Sequence, residues 1–155
     1  IETLSLNPHF FKQLIGAFLT GYGKPCDLKL VFMVLPILLY APSREKLENA
    51  NSRSKLESLF NTKFEIEAQN LSGKARLSGF FSRYQMLEDA TKKTIIILHS
   101  QGDIKISGTL ITATRTVQYS IFKNKIKAWM KAAHYLGVIF SNDDVGHISY
   151  FLGVE

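Results

Sequence analysis

Four histidines and one cysteine are among the side chains of this 155-residue chain that could bind a metal or act as a nucleophile. The histidines are scattered and do not form the HExxH pattern of zinc hydrolases. A lone cysteine cannot supply a disulfide or a CxxC pair, and we interpret it as a small, partly buried hydrophobic residue. The GxxxxGK[ST] and GxSxG motifs do not occur either. We therefore predict no enzyme, no catalytic residue and no cofactor. These residues are His9, His99, His134, His147 and Cys26.

The densest group of possible metal ligands lies near the end of the chain, where Asp143 and Asp144 precede His147. They could form a metal cluster, and a nuclease or hydrolase would then lose a metal-dependent activity when they are changed. The same stretch, Asn142 to Asp144 before Val145, is also typical of a helix N-cap, where a carboxylate accepts a free backbone N–H. We interpret the aspartates as a cap and predict no metal.

Basic residues are in excess, with 19 Lys and Arg against 13 Asp and Glu, giving a formal charge of +6. Lys123, Lys127 and Lys131 form a row along one edge of the last long predicted helix. Lys92 and Lys93 open a shorter predicted helix. A basic surplus attracts nucleic acid or acidic protein surfaces, although a solvated helix edge is the simplest alternative. We treat these five lysines as candidate contacts with nucleic acid or an acidic partner.

The segment from Leu28 to Ala41 is almost free of charge and must be covered by other parts of the chain. We predict a central buried helix kinked at Pro36; a buried strand is the alternative, but an interior proline argues against it. The segment is too short to cross a bilayer, which needs roughly 20 apolar residues. We expect no membrane contact.

Helix signals precede and follow this segment. Asn7 and Pro8 are typical of a helix start, and Gly21 to Pro25 of its end, so residues 1–41 should form an antiparallel helical hairpin. Capping boxes at Ser54 and Thr62 predict two further helices, the second running to about Met86 with a weak point at Gly79.

The periodicity changes in the later part of the chain. Residues 90–100 predict a short helix capped by Asp89, although the Thr94 to Ile97 run has high strand propensity. Alternating residues on both sides of Ser107-Gly108 predict a β-hairpin. The last long helix should run from about Tyr119 to Phe140.

The fold class predicted is mainly α with a small β-hairpin, as one compact domain over residues 1–155. The helix, helix, hairpin order indicates a winged helix-turn-helix-like portion at residues 54–113, followed by C-terminal helices at 119–152. No signal peptide is recognisable, and the single cysteine fits a reducing compartment, so we expect a cytoplasmic protein.

Four stretches together resemble a known family. They are NPHFFKQLIGAFLTGYGKP at the start, VFMVLPILLYAPSREKL, NSRSKLESLF, and the ending YLGVIFSNDDVGHISYFLGVE. Their order is similar to that in the middle component of bacterial three-component ABC systems. The resemblance spans almost the whole chain but is weak over residues 64–116, and Glu155 stands where the family often has a proline.

This resemblance implies a non-enzymatic subunit of an anti-phage or mobile-element conflict system similar to Lamassu. Its expected partners are an SMC- or Rad50-like ABC ATPase, an effector such as a nuclease, and DNA through the complex. The subunit would bridge the ATPase to the effector or hold the effector inactive. Exposed apolar residues of the tail would then bind a partner, unless the tail folds back onto the first helix. The candidates are Ile148, Tyr150, Phe151 and Leu152.

The alternative function is a winged-helix DNA-binding transcriptional regulator. Such a protein would be expected to form a homodimer and to carry several arginines around its recognition helix. Here Arg76 and Arg83 lie upstream of that helix, which offers only lysines. This arrangement weakens the prediction of specific DNA reading.

Overall fold

The computed structural model describes residues 7–60 and 79–154. This part of the chain is mainly helical with a small three-stranded antiparallel sheet. Buried apolar side chains from both ranges form one hydrophobic cluster. The elements are α1 Pro8–Tyr22, β1 Cys26–Asp27, α2 Leu28–Val31, α3 Val34–Leu38, α4 Ala41–Glu48, α5 Leu56–Phe60, α6 Phe80–Met86, α7 Glu88–Ser100, β2 Ile104–Ser107, β3 Leu110–Ala113, a 3₁₀ turn Tyr119–Ile121, α8 Asn124–Ser141 and α9 Val145–Leu152.

Helix α1 begins and ends at the predicted signals. The Asn7 side chain accepts a hydrogen bond from the His9 backbone N–H, and Pro8 occupies the first turn, where its missing N–H has no partner to lose. Gly23 then adopts a left-handed φ of 72° and donates its N–H to the Leu19 carbonyl. These caps fix a helix with one broad buried face.

The main packing partner of α1 is α8, not the central segment that the predicted N-terminal hairpin requires. The two helices cross with their backbones in direct contact at Gly21 and Gly137. Phe18 and Phe140 meet edge to face beside this crossing, with ring centroids 5.8 Å apart. The core is therefore built on a pair of helices that are distant in sequence.

The central segment is helical and buried as predicted, but it is broken into α2 and α3. A continuous helix would require Pro36 to donate an N–H to the Phe32 carbonyl, and the proline ring would collide with that carbonyl. The chain instead turns at Phe32 and Met33 and restarts, which places Pro36 in the first turn of α3. The break thus lies before the proline and not at it.

The predicted hairpin is present, with its two-residue loop one position later than expected. Ser107 pairs with Leu110, so the loop is Gly108-Thr109. Gly108 has a φ of 61°, which a first loop residue of a type II′ turn requires and which glycine adopts without strain. Strand β1 adds a third, two-residue strand on the other side of β3, giving the order β1-β3-β2.

The later helices agree with the sequence in type but differ in their ends. Residues 88–100 are helical, so the helix was correct and the strand alternative wrong; Leu87, not Asp89, is the N-cap residue. The last long helix begins at Asn124, after a 3₁₀ turn. Asp144 caps α9 by accepting the His147 backbone N–H, as predicted.

Two predicted helix starts differ in their outcome. Near Ser54, helix α5 begins at Leu56, but the Ser54 hydroxyl accepts the Asn51 N–H, whereas a capping box requires it to accept the Glu57 N–H. The capping box at Thr62 lies outside the described residues. The predicted weak point at Gly79 coincides with a left-handed residue, φ 74°, from which α6 starts.

Among the helices in the described ranges, none combines the length and apolar character needed to cross a membrane.

Candidate functional site

The C-terminal helix α9 turns most of its predicted partner-binding residues inward. Ile148 is fully buried, and Phe151 and Leu152 are nearly so, because all three belong to the hydrophobic core. Tyr150 points outward with 76% of its surface exposed. The expectation that four apolar tail residues are exposed is therefore wrong for three of them. Of these four residues, Tyr150 alone is accessible to a partner in this structure.

The start of α8 carries an exposed basic surface that we call the α8 N-terminal surface, made of Ile121, Lys123, Lys125 and Lys127. All four side chains are exposed, Ile121 to 72%. None of the three lysines lies within salt-bridge distance of a carboxylate in residues 7–60 and 79–154. The first turn of α8 contains no acidic residue, so the partial positive charge of the helix end adds to that of the lysines.

The other candidate lysines have different surroundings. Lys131 is half-buried. A hydrogen bond with Tyr119 raises the pKa of the Tyr135 phenol, and the positive charge of Lys131 partly offsets this rise. On α7, the Lys92 ammonium pairs with Glu88 at 3.7 Å. Lys93 lies at the rim of an apolar groove between the start of α1 and α7. The five candidate lysines thus differ in their exposure and in the groups that surround them.

A third feature is a cluster of Glu57, Asp143 and His147, which the sequence did not predict. The His147 Nε2 lies 2.8 Å from Glu57 Oε1, and its Nδ1 lies 2.8 and 3.0 Å from the two Asp143 carboxylate oxygens. One ligand atom from each of the three residues lies within 4.8 Å of the others. The cluster joins Glu57 on α5 to His147 on α9 and to Asp143 in the loop that precedes α9.

The cluster lines a solvent-open pocket of about 510 Å³. Its other walls include Ser52, Ser54 and Asn142, which offer oxygen atoms, and two basic residues, Arg53 and Lys55. The hydrogen bond that His147 Nδ1 donates to the Asp143 carboxylate raises the pKa of His147, and the charges of Asp143, Glu57 and Asp144 act in the same direction. In chemical terms, a cation can lie between the imidazole and the Glu57 carboxylate, with Asp143 on the other ring nitrogen.

Two other titratable residues are buried in ways that reduce their reactivity. Burial raises the pKa of the Cys26 thiol to about 12, so little thiolate forms at neutral pH, in line with the structural role expected for it. Burial lowers the pKa of His134, whose ring contacts Tyr119 and Tyr135 with centroids 5.1 and 5.0 Å away. The buried His134 Nδ1 has no hydrogen-bond partner among the described residues.

Two functional candidates were missed from the sequence. Glu57 fits a capping box so well that its carboxylate had an apparent role, and nothing local indicates a histidine ninety residues away as its partner. Lys125 does not lie on the helical row of Lys123 and Lys127. It was passed over because the prediction considered that row alone, although the Lys125 side chain is also exposed at the start of α8.

These features define a small, mainly helical protein whose exposed basic and apolar side chains suit contacts with other macromolecules. The family model that describes Middle Component 3 (MC3) of ABC-three component (ABC-3C) systems matches residues 1–155. The chain therefore belongs to the MC3 family of ABC-3C middle components, and the other components of such a system, an ABC ATPase among them, are its partners. No curated protein and no solved structure matches the chain.

Proposed function

We propose that this middle component is a non-catalytic adapter that links the SMC- or Rad50-like ABC ATPase of its system to an effector, such as a nuclease, in Lamassu-like anti-phage defence in the cytoplasm. The observation that carries the proposal is the α8 N-terminal surface. It combines one exposed isoleucine with three lysines that have no carboxylate partner in residues 7–60 and 79–154. A surface of this kind suits an acidic protein partner.

The two kinds of side chain have different physical roles in binding. Unpaired surface charges raise the rate at which an oppositely charged partner is captured, and they do so less well as salt increases. Buried contact area supplies most of the affinity, and Ile121, exposed just before the three lysines in the chain, offers it. The lysines would guide the partner, and Ile121 would hold it.

A bridging subunit needs two separate contact regions, and α8 provides a way to separate them. The helix has 18 residues and therefore spans about 27 Å. The basic surface lies at its first turn, whereas the exposed Tyr150 lies on α9, which follows its other end through residues 142–144. One partner would contact each end.

The portion made of α6, α7 and the hairpin is the third part of the proposal. A helix followed by a two-stranded hairpin, with β1 added to give the order β1-β3-β2, supports a winged helix-turn-helix-like arrangement. The outward face of α7 carries Lys92, Lys93 and Ile96, and it is a further surface for contacting the ATPase or the DNA that the complex holds. The small domain need not change shape for ATP-driven movement of the ATPase to alter what the effector reaches.

The experiment is to produce this chain with the ATPase and effector encoded beside its gene and to purify the assembly through a tag on the ATPase. We expect the three proteins to purify together, before and after nuclease treatment, and removal of this chain to separate effector from ATPase. An ATPase and effector that stay together without it would refute the adapter. Sequence-specific DNA binding by the isolated chain, with a steep salt dependence, would instead favour a regulator.

A further inference from the structure

The arrangement of His147 places a ring nitrogen directly against a carboxylate on each side. Asp143 accepts a hydrogen bond from Nδ1, which fixes a proton on that nitrogen. The remaining nitrogen, Nε2, then presents its lone pair to Glu57 Oε1 at 2.8 Å. Two electron-rich atoms at this distance repel each other unless a cation, either a proton or a metal ion, lies between them.

We propose that Glu57 and His147 bind a transition-metal cation of the Zn²⁺ class, and that Asp143 orients the imidazole from behind. A carboxylate that accepts the second N–H of a metal-binding histidine is the usual outer partner in such sites, where it fixes the tautomer and increases ligand basicity. The inference concerns a binding site that does not depend on the adapter function.

The distances permit this cation with a small adjustment. Zn²⁺ lies about 2.0–2.2 Å from nitrogen and oxygen ligands, so tetrahedral ligands stand about 3.3 Å apart. The observed separation of 2.8 Å therefore has to widen by roughly half an ångström. The Glu57 side chain is half exposed and can make this movement. The remaining coordination positions face the open pocket, where Asn142 and the hydroxyls of Ser52 and Ser54 can act directly or through water.

The donor set selects the type of metal. An imidazole nitrogen is a good ligand for Zn²⁺ and related ions, whereas Mg²⁺ and Ca²⁺ prefer oxygen ligands only. The basic residues Arg53 and Lys55 also line the pocket and oppose cations held mainly by charge. A bound ion would join α5 to the start of α9 at a place where the contact is otherwise between exposed side chains.

The test is isothermal titration of tag-free, chelator-treated protein with Zn²⁺, together with thermal unfolding with and without the ion. We expect one saturable site in the wild type and a rise in melting temperature. His147→Gln and Glu57→Gln should each weaken binding by about tenfold or more, and Asp143→Asn by about 10–100-fold. His99→Gln is the matched control, because His99 is exposed on α7 and distant in sequence from the pocket.

The variants change exposed or half-exposed side chains, so circular dichroism should show each of them folded. A wild-type protein that shows no saturable Zn²⁺ binding would overturn the proposal. So would a His147→Gln variant that binds like the wild type, because the ion would then be adventitious. In either case a proton, and not a metal, occupies the position between His147 and Glu57.

Discussion

Gly21 of α1 and Gly137 of α8 lie at the point where the two helix backbones touch. A Cβ atom at Gly21 would stand 1.9 Å from the carbonyl oxygen of His134, and one at Gly137 would stand 2.1 Å from that of Phe18. Neither obstacle is a side chain that can rotate away. The glycines therefore set the distance between the two helices that form the centre of the core.

We predict that Gly21→Ala and Gly137→Ala each lower the free energy of unfolding by about 3 kcal/mol or more, because the added methyl groups push the helices apart. Urea unfolding followed by circular dichroism measures the loss. Gly146→Ala is the control: Gly146 is exposed on α9, and its nearest obstacle is the Asp144 side-chain oxygen at 3.0 Å. A loss at Gly137 no larger than at Gly146 would show that the crossing is looser than described.

A second prediction concerns Arg44, which lies over the Trp129 ring at 3.8 Å and donates to the Leu38 carbonyl at 3.0 Å. Arg44→Lys keeps the charge but loses the planar stacking and the fork of donors. We expect a loss of about 1–2 kcal/mol in unfolding free energy, read from urea titration. Arg53→Lys, at an exposed position, should change almost nothing; an equal effect at both sites would contradict the stacking.

The α8 N-terminal surface gives a prediction that separates binding from stability. Replacing Lys123, Lys125 and Lys127 together by glutamate should slow association with the ATPase by about tenfold or more at low salt and remove its salt dependence. Acidic residues at a helix start interact favourably with the helix dipole, so stability should hold or rise. Surface plasmon resonance and thermal unfolding provide the two readouts.

The control for that variant has the same total charge but different positions. Lys92, Lys93 and Lys105 are also exposed, and changing all three to glutamate alters the net charge equally. If this control slows association as much as the α8 variant, the α8 surface has no special role in capturing the ATPase. If only the control slows it, the ATPase contacts the α7 and hairpin side.

A pH effect follows from His134. Burial lowers its pKa below the ordinary 6.5, so below about pH 7 the unfolded chain takes up a proton more readily than the folded one. Its contribution to stability therefore falls as pH falls from about 7 towards the folded-state pKa. We expect His134→Phe to lose less stability than the wild type between pH 7.5 and 5.5 in urea titrations.

The titration of His147 also changes stability with pH, and in the opposite direction, because the pKa of His147 is raised. The comparison is therefore between variants and not between pH values of the wild type alone. His99→Gln is the control, since His99 is exposed. A pH dependence of His134→Phe equal to that of the wild type would assign the effect to other groups.

The sequence predicted the elements that local chemistry decides. The Asn7 cap, the Gly23 stop and the Asp144 cap each depend on a few neighbouring residues, and all three are observed. The break before Pro36 was misplaced by a few residues because the proline acts on the carbonyl four residues earlier. The pairing of α1 with α8 could not be predicted, since no local pattern indicates which distant helix covers an apolar face.

The candidate site follows the same division. The row of Lys123 and Lys127 was visible as a helical spacing, but Lys125 lies off that spacing, and its exposure is known only from the structure. Asp143 and His147 were visible as neighbours, but Glu57 reaches them only when α5 packs beside the α8–α9 loop. The tail was assigned by its apolar composition alone, which cannot separate Tyr150 from the buried residues around it.

The difference in burial between Tyr150 and Ile148 can be tested by mutation. Tyr150→Ala removes an exposed ring and should change the free energy of unfolding by no more than about 0.5 kcal/mol. Ile148→Ala, two residues away, empties a fully buried site and should cost about 2–5 kcal/mol. If Tyr150 forms the second partner contact, Tyr150→Ala should reduce recovery of the effector with the ATPase while folding is intact. Unchanged recovery would move that contact away from α9, because no other member of the predicted tail set reaches the surface there.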